Sequence, residues 1–328
     1  MKRRAFIAAL GGAAAWPLAA RAQQGERVRR IGVLLPAASD EPLFQERLGA
    51  FLQALGQLGW NIGRNVRIDI RWATANADDI RKHAADLAAA APDVILAHGS
   101  STVRPMRQAT RTVPIVFPVA SDPVGAGFVN SLAKPGGNVT GFMSNDYSIS
   151  GKWIELLQRI APDVKRAAVL RDAAQVSGIS QFAVIQAVAP SLRMDVTPLN
   201  VGEPDEVERA VADFARSPNG GLIVATGGWA IRHRNFIISL AANHRLPAVY
   251  FERLFAFDGG LISFGSNEVE LYRQAAVYVD RILRGENPAD LPVQAPNKYE
   301  TVLNLKTAKA LGLTVDPSVL AVADDVIE

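Results

Sequence analysis

Short apolar runs rich in β-branched residues recur along the chain, and the segments between them repeat their apolar positions at helical spacing. Continuous apolar runs of this length are typical of strands buried on both faces of a parallel sheet. A first series of strands is predicted at 31–35, 66–72, 94–97 and 115–119. A second series is predicted at 167–170, 194–199, 222–225, 248–251 and 261–264. Two such series in one chain predict an α/β protein with two doubly wound layers.

The same pattern indicates how the two layers are connected. A Pro- and Gly-rich loop at 134–138 leads into the apolar stretch 139–143, where we place the first crossing, and Ser144 begins the second lobe. A long amphipathic helix is predicted over about 268–283, after the second strand series. If the apolar face of this helix packs on the first lobe, the chain crosses between the lobes more than once.

The first residues have the pattern of a signal peptide. A basic start at residues 2–4 runs into an apolar stretch that ends near Leu18 and falls short of the roughly 20 residues that span a bilayer. Small residues at Ala20 and Ala22 predict cleavage after Ala22. The paired arginines resemble a twin-arginine signal, although an ordinary secretory signal can also carry two arginines. Residues 1–22 are therefore predicted to be removed, leaving a periplasmic protein that is not inserted in the membrane.

Composition narrows the functional classes. The chain has no cysteine, which excludes a lipid-modified cysteine, disulfides, thiol catalysis and cysteine-based metal sites. The formal net charge of +3 includes four basic residues of the signal, at 2–4 and 21, and becomes about −1 without them. The remaining basic residues are scattered among acids, which argues against nucleic acid as a partner. The four histidines show no metal-ligand spacing, so no metal is predicted.

Three stretches of the sequence carry a family resemblance. They are DPVGA at 122–126, KPGGNVTG at 134–141 and NLKTAKALGL at 304–313. Together they resemble the ABC transporter substrate-binding family that includes bacterial tryptophan-binding proteins, and the resemblance runs from about Arg30 to Glu328. This family is similar to the type I periplasmic binding proteins, in which two Rossmann-like lobes with parallel sheets are joined by a hinge of several crossings.

The resemblance implies both a division of the chain and a function. Lobe 1 would comprise 30–143 plus 266–295, and lobe 2 would comprise 144–265 plus 296–328. The protein would be a monomeric solute-binding protein that captures an amino acid or an aromatic carboxylate for an ABC permease and its ATPase. No phosphate loop, dinucleotide fingerprint or nucleophile elbow is present in the sequence, so no cofactor and no catalytic residue is predicted. A ligand-sensing co-receptor and a periplasmic enzyme on the same fold are the alternatives.

The candidate binding residues follow the predicted strands, because ligands of open α/β sheets bind beyond the carboxyl ends of the strands. In lobe 1 and at the crossing they are Ser100, Ser101, Thr102, Ser121, Asp122 and Asp146. In lobe 2 they are Thr226, Trp229 and Glu252.

Most of these residues also have a purely structural interpretation. Ser100 and Ser101 begin a helix whose free N–H groups attract a carboxylate, but either serine is also a suitable N-cap. Asp122 before a proline is a common helix start, and this interpretation is favoured over ligand contact. Trp229 either stacks on an organic ligand or covers the core. Glu252 either binds a ligand ammonium or is solvated or paired with Arg253.

Overall fold

A computed structural model describes residues 27–328 with the exception of residues 75 and 145. The predicted signal peptide, 1–22, lies outside the described residues. The protein is an α/β protein with two sheets, as the apolar pattern predicts. None of the helices within the described residues has the length and apolar character that a membrane-spanning helix requires.

The first sheet has five strands, all parallel, in the order β2-β1-β3-β4-β5. Its elements are β1 (Arg29–Leu35), α1 (Pro42–Gln57), β2 (Val66–Trp72), α2 (Ala77–Ala89), β3 (Val94–Ala97), α3 (Ser100–Ala109), β4 (Ile115–Ala120) and β5 (Val139–Met143). All four residues of β3 are fully buried, which explains why this strand has an uninterrupted apolar sequence.

The second sheet has seven strands in the order β12-β11-β10-β9-β8-β6-β7. Its elements up to the centre of the sheet are α4 (Ser150–Ile160), β6 (Arg166–Arg171), α5 (Val176–Val188), β7 (Asp195–Asn200), α6 (Pro204–Ala215), β8 (Gly220–Val224), α7 (Gly228–Arg232), α8 (Arg234–Asn243), β9 (Ala248–Tyr250) and α9 (Arg253–Phe257). The remaining elements are β10 (Ile262–Ser266), α10 (Glu268–Leu283), β11 (Tyr299–Asn304), α11 (Leu305–Ala310), α12 (Pro317–Leu320) and β12 (Asp325–Ile327). Strand β11 pairs antiparallel with β10, so this sheet is parallel except at one pair.

The chain passes three times between the sheets within its described residues. It leaves the first sheet after Met143, returns after Ser266 and leaves again after Gln294. Helix α10 packs against α1 and β4. The first and third crossing segments lie together, because Met143 N donates to Gln294 O at 2.8 Å and Gln294 N donates to Gly141 O at 3.1 Å.

We use "lobe 1" for β1–β5 with α1–α3 and α10, and "lobe 2" for the other elements. The residue boundaries of the lobes stay a prediction. Within lobe 1 one glycine is required by the fold: Gly141 has a φ of +152°, and a Cβ there would overlap the carbonyl oxygen of Phe117 on the neighbouring strand. Glycine therefore permits the close pairing of β4 and β5 next to the first crossing.

Candidate ligand-binding site

A cavity of about 210 Å³ lies between the lobes, where the carboxyl ends of both sets of strands meet. This is the location that the topology of open α/β sheets favours for a ligand. Apolar side chains from both lobes form a large part of its wall. They are Pro36, Phe44, Val119, Ile231, Phe251 and Leu254. The cavity therefore provides an apolar surface that is shared by the two lobes.

The polar wall on lobe 1 is built around the start of α3. Gly99 is the N-cap residue, with a φ of +79°, and no side chain caps this helix. Because Gly99 is the N-cap, neither Ser100 nor Ser101 is, and both serines line the cavity. The first N–H groups of a helix have no partner within the helix, so this end of α3 offers donors to an anionic group.

Two other serines line the same cavity. Ser121 follows β4, and Ser144 lies at the first crossing. Ser144 is only 4% exposed, and its hydroxyl has no hydrogen-bond partner among the residues that the structure describes. Buried hydroxyls are normally hydrogen-bonded, so an unpaired one in a cavity wall indicates a position where a bound molecule supplies the partner.

Three charged residues of the cavity wall meet one another. Arg47 on α1 is 2% exposed, and its Nη2 donates to Glu252 Oε1 at 2.5 Å. The same nitrogen lies 3.0 Å from Oε2 of Glu268, the first residue of α10. Arg47 and Glu268 belong to lobe 1, whereas Glu252 follows β9 in lobe 2. The cluster of Arg47, Glu252 and Glu268 therefore joins the lobes through a buried ion pair.

The titration of this region is set by burial. Burial raises the pKa of Glu268 to about 7, Arg47 opposes this shift, and the carboxylates of Glu252 and Glu300 add to it. Burial, assisted by the positive charge of Arg47, holds the pKa of His98 well below its usual value. His98 is therefore neutral at pH 7, and its Nδ1 shares a hydrogen bond of 2.9 Å with the hydroxyl of Tyr272.

Five of the nine sequence-predicted residues line the cavity: Ser100, Ser101, Ser121, Thr226 and Glu252. Thr226 is held there by its N–H, which donates to Gln181 Oε1 at 3.0 Å. For Glu252 the sequence predicts either an ammonium ligand or an acid that is solvated or paired with Arg253. The structure pairs it with Arg47 instead, because burial places its carboxylate against α1 of the other lobe. Its contact with a ligand stays a prediction.

The other four predicted residues are not among the residues that line the cavity. Thr102 is fully buried, and its hydroxyl donates to His98 O at 2.8 Å. Asp122 accepts from Gly125 N at 2.8 Å in a turn, not in the helix start expected for it. Asp146 accepts from Ser148 N at 2.8 Å, and Trp229 stacks on His233 at 4.1 Å between ring centroids. Ligand contact by these four stays a prediction.

Arg47, Glu268 and Phe44 line the cavity but were not predicted from the sequence. The sequence could have indicated that Arg47 is buried, since it lies three residues after Phe44 and four before Phe51 on the apolar face of α1. A charged residue on an inward face requires a buried partner. Glu268 carried no such signal, because an acid in the first turn of a helix is common in any exposed helix.

A family model described as ABC transporter substrate binding protein matches residues 31–327, nearly the whole of the described chain. The chain belongs to this family. The resemblance stated from three sequence stretches is therefore confirmed, and so is the α/β fold with two sheets. Members of this family are the substrate-binding proteins of ABC transporters. Membership therefore gives this protein a role in binding a small molecule.

Individual relatives agree with this assignment. A tyrosine-binding protein from Clostridioides difficile (strain R20291) is 26% identical over 274 residues, which are 84% of this chain and 79% of that protein. A ligand-free, open structure of a substrate-binding protein with adhesive properties from Clostridium difficile is 25% identical, with a TM-score of 0.72 over 92% of this chain and 99% of that one. An ABC domain from Streptococcus pneumoniae in complex with L-Trp shares the fold, with 24% identity and a TM-score of 0.81 over 91% of this chain and 99% of that one.

Proposed function

We propose that this substrate-binding protein captures an amino acid or an aromatic carboxylate in the cavity between its lobes and presents it to an ABC importer. The observation that supports this most directly is the shared wall of the cavity, to which Ser100 and Arg47 of lobe 1 and Phe251 and Glu252 of lobe 2 contribute. A molecule held there contacts both lobes. It favours the closed arrangement by as much as the closed arrangement offers it additional contacts.

The chemistry of the wall supports a small organic ligand with one apolar and one polar end. Sites for such ligands combine apolar walls with a few polar groups that fix orientation. Here Phe44, Ile231 and Phe251 supply apolar surface, and the serines at the start of α3 supply donors. Because two similar proteins are described as binding tyrosine and tryptophan, aromatic amino acids come first among the compounds to test.

We further propose that residues 1–22 direct export to the periplasm by the twin-arginine route and are removed after Ala22. The mature protein then acts as a monomer with a membrane-embedded permease and its ATPase, and it carries out no chemistry on its ligand. Replacing Arg3 and Arg4 with lysine is expected to leave the uncleaved precursor in the cytoplasm, which cell fractionation would show. Unchanged export of this variant would favour the general secretory route.

The proposed function is tested by thermal shift and calorimetry on the purified protein with amino acids, aromatic carboxylates, sugars and nucleosides. A compound that binds only the folded state raises the melting temperature further as its concentration increases. At a hundred times its Kd it stabilises the folded state by about 2.7 kcal/mol. We expect such a rise with an amino acid or an aromatic carboxylate, and recovery of the compound unchanged after incubation. Consumption of the compound would contradict the proposal and indicate an enzyme.

A further inference from the structure

The cluster of Arg47, Glu252 and Glu268 contains one cation and two carboxylates. His98 on lobe 1 is neutral, so it does not balance the second carboxylate. Arg232 of α7 also lines the cavity, but among the described residues it forms no ion pair with either carboxylate, and Arg47 is the cation that acts on Glu268. Glu300 on β11 also raises the pKa of Glu268, but Arg253 pairs with Glu300 at 3.2 Å, so the uncompensated charge lies within the cluster itself. Uncompensated buried charge is costly, and an opposite charge or a proton relieves the cost.

The hydrogen bonds show which carboxylate is left over. Arg47 Nη2 donates to Glu252, whereas Glu268 Oε2, although 3.0 Å from the same nitrogen, accepts no hydrogen bond from any described residue. Both carboxylates line the cavity. The unpaired, buried hydroxyl of Ser144 lines the same cavity and independently indicates an occupant with polar groups.

We infer that Glu268, with Glu252 beside it, binds a cationic group of the ligand, so that the ligand of this protein is an ammonium-bearing amino acid and not a simple carboxylate. This inference rests on the proposed function and decides between the two ligand classes left open there. Arg47 is a positioning residue: it holds the two carboxylates together and lowers their mutual repulsion, while the serines at the start of α3 remain for the ligand carboxylate.

The same arrangement couples binding to a proton. In the empty cavity burial raises the pKa of Glu268 to about 7, so the carboxyl is partly protonated at neutral pH. A bound ammonium favours the ionised form, and the proton is released on binding. The affinity should therefore fall as the pH decreases below about 7, by at most about tenfold per pH unit, because the proton then competes with the ligand cation.

The test uses matched compounds on the purified protein. Phenylalanine, tyrosine and tryptophan are each compared by calorimetry with the deaminated analogues phenylpropionate, hydroxyphenylpropionate and indolepropionate. We expect at least one amino acid to bind more than tenfold more tightly than its deaminated partner. We also expect its measured binding enthalpy to vary with the ionisation enthalpy of the buffer, which shows proton release. Equal affinity of the partners overturns the inference and leaves the proposed function standing. Binding of no compound in the wider screen contradicts both.

Glu268→Gln identifies the group responsible. This variant is expected to lose the preference for the amino acid, the proton release and the decrease in affinity at low pH together, while its binding of the deaminated analogue is unchanged or stronger. Glu270→Gln is the matched control, because Glu270 lies one half-turn further along α10 and its carboxylate pairs with Arg273 and Gln274 outside the cavity. Retention of the amino-acid preference and the pH dependence in Glu268→Gln overturns the inference.

Discussion

Replacing Arg47 with methionine is expected to destabilise the protein more than any other loss of a single charge in the described chain. Arg47 is 2% exposed, and its guanidinium lies 2.5 Å from Glu252 and 3.0 Å from Glu268. Methionine retains part of the apolar stem but leaves two carboxylates buried without a cation. Removing one partner of a buried ion pair typically costs about 3–5 kcal/mol, largely because the other charge stays buried.

The cost should depend on pH in a defined direction. Arg47 lowers the pKa of Glu268, so the variant raises this pKa in the folded state further above its value of about 7, while the unfolded chain keeps the ordinary value. A carboxyl with a raised folded-state pKa loses its contribution to stability as the pH rises through that pKa. The destabilisation by Arg47→Met should therefore be larger at about pH 8 than at about pH 5.

Urea denaturation followed by tryptophan fluorescence at both pH values measures this effect. Arg273→Met is the control, because the pair of Arg273 with Glu270 is 3.4 Å long and about half exposed at the arginine, so its loss should cost less than about 1 kcal/mol. Adding Glu252→Gln and Glu268→Gln to the Arg47 variant should restore most of the stability. A cost for Arg47→Met below about 1 kcal/mol, or one that does not change with pH, would refute the electrostatic account of the cluster.

Three further substitutions test other parts of the site and its support. Ser144→Ala should stabilise the ligand-free protein by about 1 kcal/mol, because it removes an unpaired buried hydroxyl, yet weaken ligand binding in calorimetry. Tyr272→Phe should lower the free energy of unfolding by about 1 kcal/mol, because His98 Nδ1 loses its hydrogen bond, and urea denaturation measures it. Gly141→Ala should cost about 3 kcal/mol or more in the same assay, because its Cβ would overlap Phe117 O.

Strands that are buried on both faces could be predicted from the sequence. Strand β3 shows the reason: its residues Val94–Ala97 are all fully buried, so each position had to be apolar. Strand β11 was not predicted, because polar residues interrupt it. Glu300 pairs with Arg253, and the Asn304 side chain donates to Ala256 O at 3.0 Å. These partners belong to distant segments, and no local pattern reveals them.

The same distinction explains what could be predicted of the site. Ser100, Ser121 and Thr226 were found because chain topology places residues after strands at one edge of a sheet. The partner of Arg47, in contrast, is Glu252, which lies 205 residues away in sequence. Which arginine meets which glutamate depends on how the lobes face each other, and helical periodicity contains no information about that.

On the proposed function, the positions of these groups also account for how binding drives closure. A ligand must gain about 5.5 kcal/mol of additional contacts in the closed state to move an equilibrium from 1:99 to 99:1. Hydrogen bonds to charged groups contribute about 1.5–3 kcal/mol each, so about two to four of them from the opposite lobe are enough. A ligand whose carboxylate is held at the start of α3 and whose ammonium is bound by Glu268 also meets Glu252 of lobe 2, and it gains that contact only when the lobes are together. The Arg47–Glu252 pair also joins the two lobes, so the ion pair and the ligand favour the same arrangement.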